Sequence, residues 1–298
     1  MGSPGALTSR PILVVGATGM LGRPVVRRLA EEGFALRALV RDPDRARRLL
    51  PATCELVPGD VGDRTSIREA MTGVDAVYIN LAEPFSKRRW DPEHEGTRAI
   101  ADLAHSCGVQ RLLKISAMGI DRASEQWWAA RRKTEADEAV AGSGVAYTIF
   151  RPTWFMESLP LFVARRWMIL PRTPAVPLYW IAGDDYARQV ATALRTDRAV
   201  NRVYSIQGPQ ALTFDEAAER FSRADPGHPR VIRLPRWMVA GAGVLSPPAR
   251  YLGELLTFTF RWNVGFQAQA AWDDLGEPTM TIEDYVRYME RSGDVPRK

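Results

Sequence analysis

Pro11-Ile-Leu-Val-Val15-Gly16-Ala-Thr-Gly19-Met-Leu-Gly22 decides the fold. Ile12 to Val15 are four apolar residues in a row, the mark of a strand buried on both faces. They end at a glycine cluster that opens into an amphipathic stretch, with Leu21, Val25, Val26 and Leu29 on one helical face. Strand, tight turn and helix start, in that order, form the setting in which glycines bind a dinucleotide. Gly16 permits the sharp turn and Gly19 lets the backbone approach a pyrophosphate. Gly22 lets the helix lie close to the strand with its N-terminus toward the anion. Thr18, Met20 and Leu21, on the same turn, are expected to touch the cofactor too. The spacing is G-x-x-G-x-x-G, one residue looser than the commoner fingerprint.

Outward from this turn, residues 34–40 read as the second strand, ended by Arg41-Asp42-Pro43. An acidic residue at the tip of this strand would bond a ribose 2′-hydroxyl, whereas an arginine accommodates a 2′-phosphate. The chain has Val40 then Arg41, with Arg45, Arg47 and Arg48 close behind. The expected cofactor is therefore NADP(H), with Arg41 at its phosphate.

Strands and helices then alternate. Strands are expected at 54–57, 76–80, 109–116 and 145–150. Helices are expected around Ile67 to Met71, from about 92 to 107 and from about 124 to 141. This regularity predicts an α/β fold, a doubly wound parallel sheet with ligand at the carboxyl ends of its strands. Beyond Arg151-Pro152 the pattern changes to scattered prolines and aromatics, including Trp154, Trp167, Trp180, Trp237, Trp262 and Trp272. The expected division is a cofactor domain over 9–155 and a smaller C-terminal substrate lobe over 156–298. A helix at 184–196 and a strand at 203–207 are expected to return from the lobe to the sheet. Thr213 with Glu216, and Thr281 with Asp284, mark two further helix starts.

Composition narrows the function. The chain has 298 residues, 46% hydrophobic and 25% charged, as in ordinary globular proteins. Its net charge of +5 is spread without long basic blocks, which argues against nucleic-acid binding. The longest apolar run, 237–245, is too short to span a bilayer, and Met1 to Ser9 lack an apolar signal core. Cys54 and Cys107, without C-x-x-C spacing, fit free thiols in a reducing cytoplasm. Three scattered histidines offer no metal site.

Gly16 to Gly22, Val40-Arg41, Lys133-Thr-Glu-Ala-Asp-Glu, Tyr147-Thr-Ile-Phe-Arg-Pro152, Trp154-Phe-Met-Glu157 and Leu275-Gly-Glu-Pro-Thr279 together resemble the NmrA-like group of atypical short-chain dehydrogenase/reductases. The resemblance implies a Rossmann fold with a small substrate lobe. In that group some members reduce quinones, azo dyes or plant phenolics with NADPH, and others bind the cofactor as redox sensors. It also places Asp60-Val61 at the adenine ring and Asn80-Leu81-Ala82 beside the adenosine ribose. Ser116 and the loop from Pro152 through Trp154 to Phe155 would lie by the nicotinamide.

The superfamily's Tyr-x-x-x-Lys pair sets a phenol one helical turn from a lysine. Here the lysine is Lys133, and the position four before it is Ala129. The missing phenol argues against 4-keto sugar chemistry. Lys133 itself lies on an otherwise apolar stripe with Ala129, Ala136 and Val140. It is expected to find partners in cofactor ribose hydroxyls, and burial is expected to lower its pKa toward a proton donor's. Lys114, within the fifth strand, is expected at the sheet's periphery or paired with a carboxylate.

The reading is an NADPH-dependent reductase of a planar, apolar aromatic ketone, quinone, enone or epoxide. Lys133 and Ser116 are its expected catalytic groups, and Trp154 and Phe155 its substrate contacts. The alternative is a non-catalytic NADP(H)-sensing regulator that binds a protein partner. The sequence sets no oligomeric state.

Overall fold

The computed structural model describes residues 10–86, 90–123, 126–235, 237–238, 241, 244, 246–261 and 265–292. Met1 to Ser9, Lys87, Ser124, Trp262, Lys298 and much of the apolar run 237–245 lie outside them.

Among the described residues, seven strands make one parallel sheet. They are β1 (Ile12–Val15), β2 (Leu36–Val40), β3 (Glu55–Pro58), β4 (Ala76–Ile79), β5 (Arg111–Ile115), β6 (Ala146–Pro152) and, after the short lobe strands β7 (Val163–Ala164), β8 (Trp167–Pro171) and β9 (Leu178–Trp180), β10 (Arg202–Ile206). The order is β10-β6-β5-β4-β1-β2-β3. This is a doubly wound Rossmann sheet with its reversal between β1 and β4, where ligands bind at the strands' carboxyl ends.

Period-two alternation divides each central strand between two cores. Ile12, Val14, Ala76 and Tyr78 face one cluster with Val25, Val26 and Leu29 of α1 (Gly22–Glu31). Leu13, Val15, Val77 and Ile79 face the other. That second face is covered by α3 (Arg64–Met71), after α2 (Pro43–Leu49), by α4 (Thr97–Ala104) and by α6 (Trp128–Ala141), which follows the short α5 (Ile120–Ala123). α6 begins at Trp128 rather than near residue 124, and a separate turn of helix ends at Ala123. A π-helical turn, Pro92–Gly96, leads into α4.

The lobe has its own core, built around Trp180, Phe214, Phe221 and Tyr285. It contains α8 (Phe214–Ala224), β11 (Gln210–Leu212), β12 (Arg230–Leu234), α9 (Pro247–Arg261) and α11 (Ile282–Ser292). The lobe is tied back to the sheet layer by α7 (Gly183–Arg195), which packs its Tyr186, Val190 and Leu194 into the α1 core. α10 (Gln269–Leu275) adds Ala271 and Leu275 to the same core. The turn after α10 is pinned by Asp185, whose Oδ2 accepts from the amides of Thr279 at 2.9 Å and Met280 at 2.8 Å. Thr213 closes a full capping box with Glu216. No described helix is long and apolar enough to cross a membrane.

Candidate active site

At the sheet's reversal point the glycine turn is packed to its limit. Gly16 has φ of +85°, and a Cβ there would sit 1.9 Å from the carbonyl oxygen of Asn80. Asn80 N–H in turn donates to Val15 O at 2.9 Å, so the ends of β1 and β4 are laced together. A Cβ on Gly22 would lie 2.1 Å from Gly16 O. The turn and the helix start are thus drawn in close enough that only glycine fits.

α1 also begins without a side-chain cap and with no acidic residue in its first turn. By contrast α2 and α3 are capped by Asp42 and Asp63. An uncapped helix N-terminus over a glycine cradle matches the demand of a pyrophosphate for backbone N–H donors. Arg41 stands exposed at the end of β2, and the neighbouring Asp42 carboxylate is committed to Arg45 N–H at 2.9 Å. The strand tip therefore offers a cation and no spare acid, which suits a 2′-phosphate. These residues fit NADP(H), whose bound nicotinamide would supply hydride.

In the loops expected at the adenosine end, Asp60 Oδ1 accepts from Gly62 N–H at 2.7 Å and shapes the turn after β3. Val61 and Leu81 close on Gly96, where an added Cβ would meet each at 3.2 Å. Ala82 is exposed.

The other half of the site lies where β5, α6 and the π-turn meet. On β5, Leu112 and Lys114 point to the face covered by α4 and α6, and Ser116, just beyond the strand, continues that side. Lys114 is a central-strand residue with no exposure, not a peripheral one, and the carboxylate partner is the half of the expectation that holds. Its Nζ bonds Glu93 Oε1 at 2.7 Å and Asp137 Oδ1 at 3.1 Å. Ser116 Oγ donates to Asp137 Oδ2 at 2.8 Å, and Arg151 Nε reaches the same oxygen at 3.3 Å.

Lys133, itself half-buried, stands on the α6 stripe with the buried Ala129, Ala136 and Val140. Its Nζ lies 3.1 Å from Glu93 Oε1 and 3.7 Å from Glu83 Oε2. Its partners within the protein are thus carboxylates, which the expectation of ribose hydroxyls did not include. Its pKa moves opposite to the expectation: burial favours the neutral amine, but Glu83 and Glu93 outweigh it and hold the ammonium above the ordinary 10.5. Lys133 is a fixed positive charge. Among the described residues only Glu93 is within hydrogen-bond reach, which leaves two of its three N–H donors for a ligand.

Glu83, Glu93, Asp91 and Tyr251 escaped the sequence reading. Tyr251, on α9, donates its hydroxyl proton to Glu83 Oε1. Its ring meets Phe85 and Trp127 at 5.8 Å each, and Trp127 meets Phe258 at 4.9 Å. Trp127 Nε1 is held by Glu254 at 3.1 Å. Tyr251, Glu254 and Phe258 recur at i, i+3 and i+7, one face of α9. That spacing was the available signal, but it does not say what the face meets.

Pro152 is buried at the end of β6. Phe155 is turned into the core, edge-on to Tyr186 at 5.4 Å. Trp154 packs on Trp180 and Phe214, with Nε1 on Thr259 at 3.1 Å. The structure gathers Lys133 and Ser116 around Asp137 and Glu93, and places the Trp154 and Phe155 rings in cores.

Residues 16–197 match the NAD(P)H-binding family. A Streptomyces griseus (4-alkanoyl-5-oxo-2,5-dihydrofuran-3-yl)methyl phosphate reductase is 32% identical over 215 residues, 71% of this chain and 73% of that one. An NAD(P)H azoreductase of Xenophilus azovorans is 30% identical over 217 residues, covering 72% and 73%. The NADPH-dependent quinone oxidoreductase of Escherichia coli, solved with NADPH, superposes with a TM-score of 0.75 at 22% identity, over 94% of this chain and 99% of that one. The chain belongs to the NAD(P)H-binding family, within the NmrA-like, atypical short-chain dehydrogenase/reductase type of oxidoreductases.

Proposed function

We propose that the chain is an NADPH-dependent reductase that passes hydride to a planar, apolar acceptor such as an aromatic ketone, quinone, enone or epoxide. The observation that carries this reading is the aromatic group of Phe85, Trp127, Tyr251 and Phe258 gathered beside the Lys133 ammonium. Flat rings favour a flat ligand, and a fixed cation favours an oxygen that gains negative charge as hydride arrives. In this reading residues 9–155 hold the cofactor and 156–298 wall the acceptor. Arg41 takes the 2′-phosphate and Gly16 to Gly22 the pyrophosphate. Lys133 gives one remaining donor to the nicotinamide ribose and keeps the other toward the acceptor oxygen. Ser116, whose own proton is given to Asp137, orders the nicotinamide side without donating to the substrate. The names of the relatives support a reductase, since two of them act on a furanone phosphate and on azo compounds.

NADPH oxidation followed at 340 nm across a panel of quinones, aromatic ketones and azo dyes tests the reading. Turnover that saturates with a flat acceptor sustains it. NADPH binding with only background oxidation for every acceptor overturns it in favour of a cofactor-sensing protein.

A further inference from the structure

α6 carries Ala129 where a helix-borne phenol would stand, yet a phenol does reach the surroundings of Lys133, from the other lobe. Tyr251 is buried on α9, and its hydroxyl donates to Glu83 Oε1. Lys133 Nζ lies 3.7 Å from the second oxygen of that same carboxylate. A hydroxyl donor and an ammonium therefore address the two oxygens of one carboxylate, so a single small oxygen-bearing ligand is of a size to meet both. Glu83 lies on residues 80–86, which form neither helix nor strand, so its carboxylate is held by these contacts and not by a backbone ladder. Phe85 and Trp127 pack on the Tyr251 ring, and Phe258 backs Trp127.

Resting on the reductase reading, we propose that Tyr251 is the catalytic phenol of this protein, donating its proton to the substrate oxygen, with Glu83 occupying that oxygen's place in the resting state. As the substrate carbon accepts the cofactor's hydride, the electron pair of its π bond moves to oxygen. That oxygen takes the proton from Tyr251 Oη, so the phenol O–H breaks as the product O–H forms. The substrate is reduced by two electrons and the nicotinamide oxidised by two. The phenolate regains its proton from water once product leaves. Burial first, and then the negative charge of Glu83, keep the resting phenol fully protonated. When a substrate oxygen replaces Glu83, the second of these influences is removed while the Lys133 charge stays, and the proton becomes easier to give up.

The test uses Tyr251→Phe, which deletes one oxygen from a ring whose packing it keeps, and Glu83→Gln. Two readouts are taken: quinone reduction, and binding of 4-nitrophenolate to the NADP+-loaded protein by its visible absorbance. The second is independent of turnover, with 4-nitrophenolate standing for the reduced oxygen. Tyr251→Phe is expected to lower kcat about 100-fold or more with NADPH affinity unchanged, and to weaken 4-nitrophenolate about tenfold. Glu83→Gln, which removes the competing charge, is expected to tighten 4-nitrophenolate. Tyr251→Phe that leaves nitrophenolate affinity intact overturns the proposal, as does Glu83→Gln that loosens it. If wild type reduces no acceptor, the reductase reading fails separately, and the nitrophenolate titration still decides whether Tyr251 serves an oxygen ligand.

Discussion

Lys114 and Lys133, one from a central strand and one from a helix, meet on a single oxygen: Glu93 Oε1 lies 2.7 Å from the first and 3.1 Å from the second. Two ammonium groups are held together in the interior by one carboxylate. Removing that carboxylate leaves Lys114 with Asp137 and Lys133 with the more distant Glu83, one buried counter-charge short for the two ammonium groups.

Glu93→Gln is therefore expected to cost about 3–5 kcal/mol, the usual loss when one partner of a buried pair is deleted. Urea unfolding followed by circular dichroism measures it. Combining Glu93→Leu with Lys114→Met, which removes one charge of each sign, is expected to recover much of the loss, because the desolvation cost of that pair goes with it. A double variant no better than the single one would place the role of Glu93 elsewhere.

The same cluster sets a pH window. Burial raises the Glu93 carboxyl, but Lys114 and Lys133 more than reverse this and hold it below its ordinary 4.5. Its contribution to stability is present above that value and is lost as pH falls through the depressed folded value. Lys133 is held above its ordinary 10.5, so its contribution is present below that pH and lost as pH rises through the raised folded value. Unfolding free energy measured against pH is expected to be insensitive to this pair between roughly pH 5 and 10 and to fall outside it. Glu93→Gln should flatten the acid limb, and Lys133→Met the alkaline one.

Why the fold was legible and the lysine's chemistry was not follows from where the determinants lie. Gly16, Gly19 and Gly22 sit within seven residues of one another, and their strand-turn-helix setting is local. The stripe through Ala129, Lys133, Ala136 and Val140 is likewise written on one helix, so its burial could be read directly. The partners of Lys133 come from the loop after β4 and from the π-turn before α4, and the phenol beside it from α9. No pattern within α6 signals them. The expected fall in the Lys133 pKa considered burial alone and missed the two carboxylates that reverse it. Lys114 went the same way: its strand was legible, its central place in the sheet was not, because strand order is set by crossovers between distant segments. The tryptophans show the converse, since Trp154 and Trp180 build the lobe's core as large apolar rings ordinarily do.

The glycine turn gives a sharp contrast between crowding and backbone conformation. Gly16 and Gly33 both have positive φ, at +85° and +82°. An alanine at 16 would drive its Cβ into Asn80 O, whereas at 33 nothing lies within 4 Å. Gly33→Ala is expected to cost about 1 kcal/mol of backbone strain and leave NADPH affinity unchanged. Gly16→Ala and Gly22→Ala must part the strand ends or lift α1, and are expected to weaken NADPH at least tenfold by calorimetric titration. Equal affinity across all three variants would remove the turn from the cofactor site.

Arg41 and Asp42 stand side by side at the end of β2 with separate tasks. The Asp42 carboxylate caps α2 through Arg45 N–H, so it is not free to take a ribose hydroxyl, while the Arg41 side chain is exposed. Charge-assisted bonds to a phosphate are worth about 1.5–3 kcal/mol, or roughly 10- to 150-fold in affinity. Arg41→Ala is expected to weaken NADPH by about that factor and to leave NADH nearly unchanged, since NADH has no 2′-phosphate to lose. Asp42→Ala removes a cap worth about 1 kcal/mol of stability and should leave the ratio of the two affinities alone. Parallel titrations of both nucleotides with both variants separate the roles. A loss of NADPH and NADH together in Arg41→Ala would mean that the arginine supports the strand tip and does not read the phosphate.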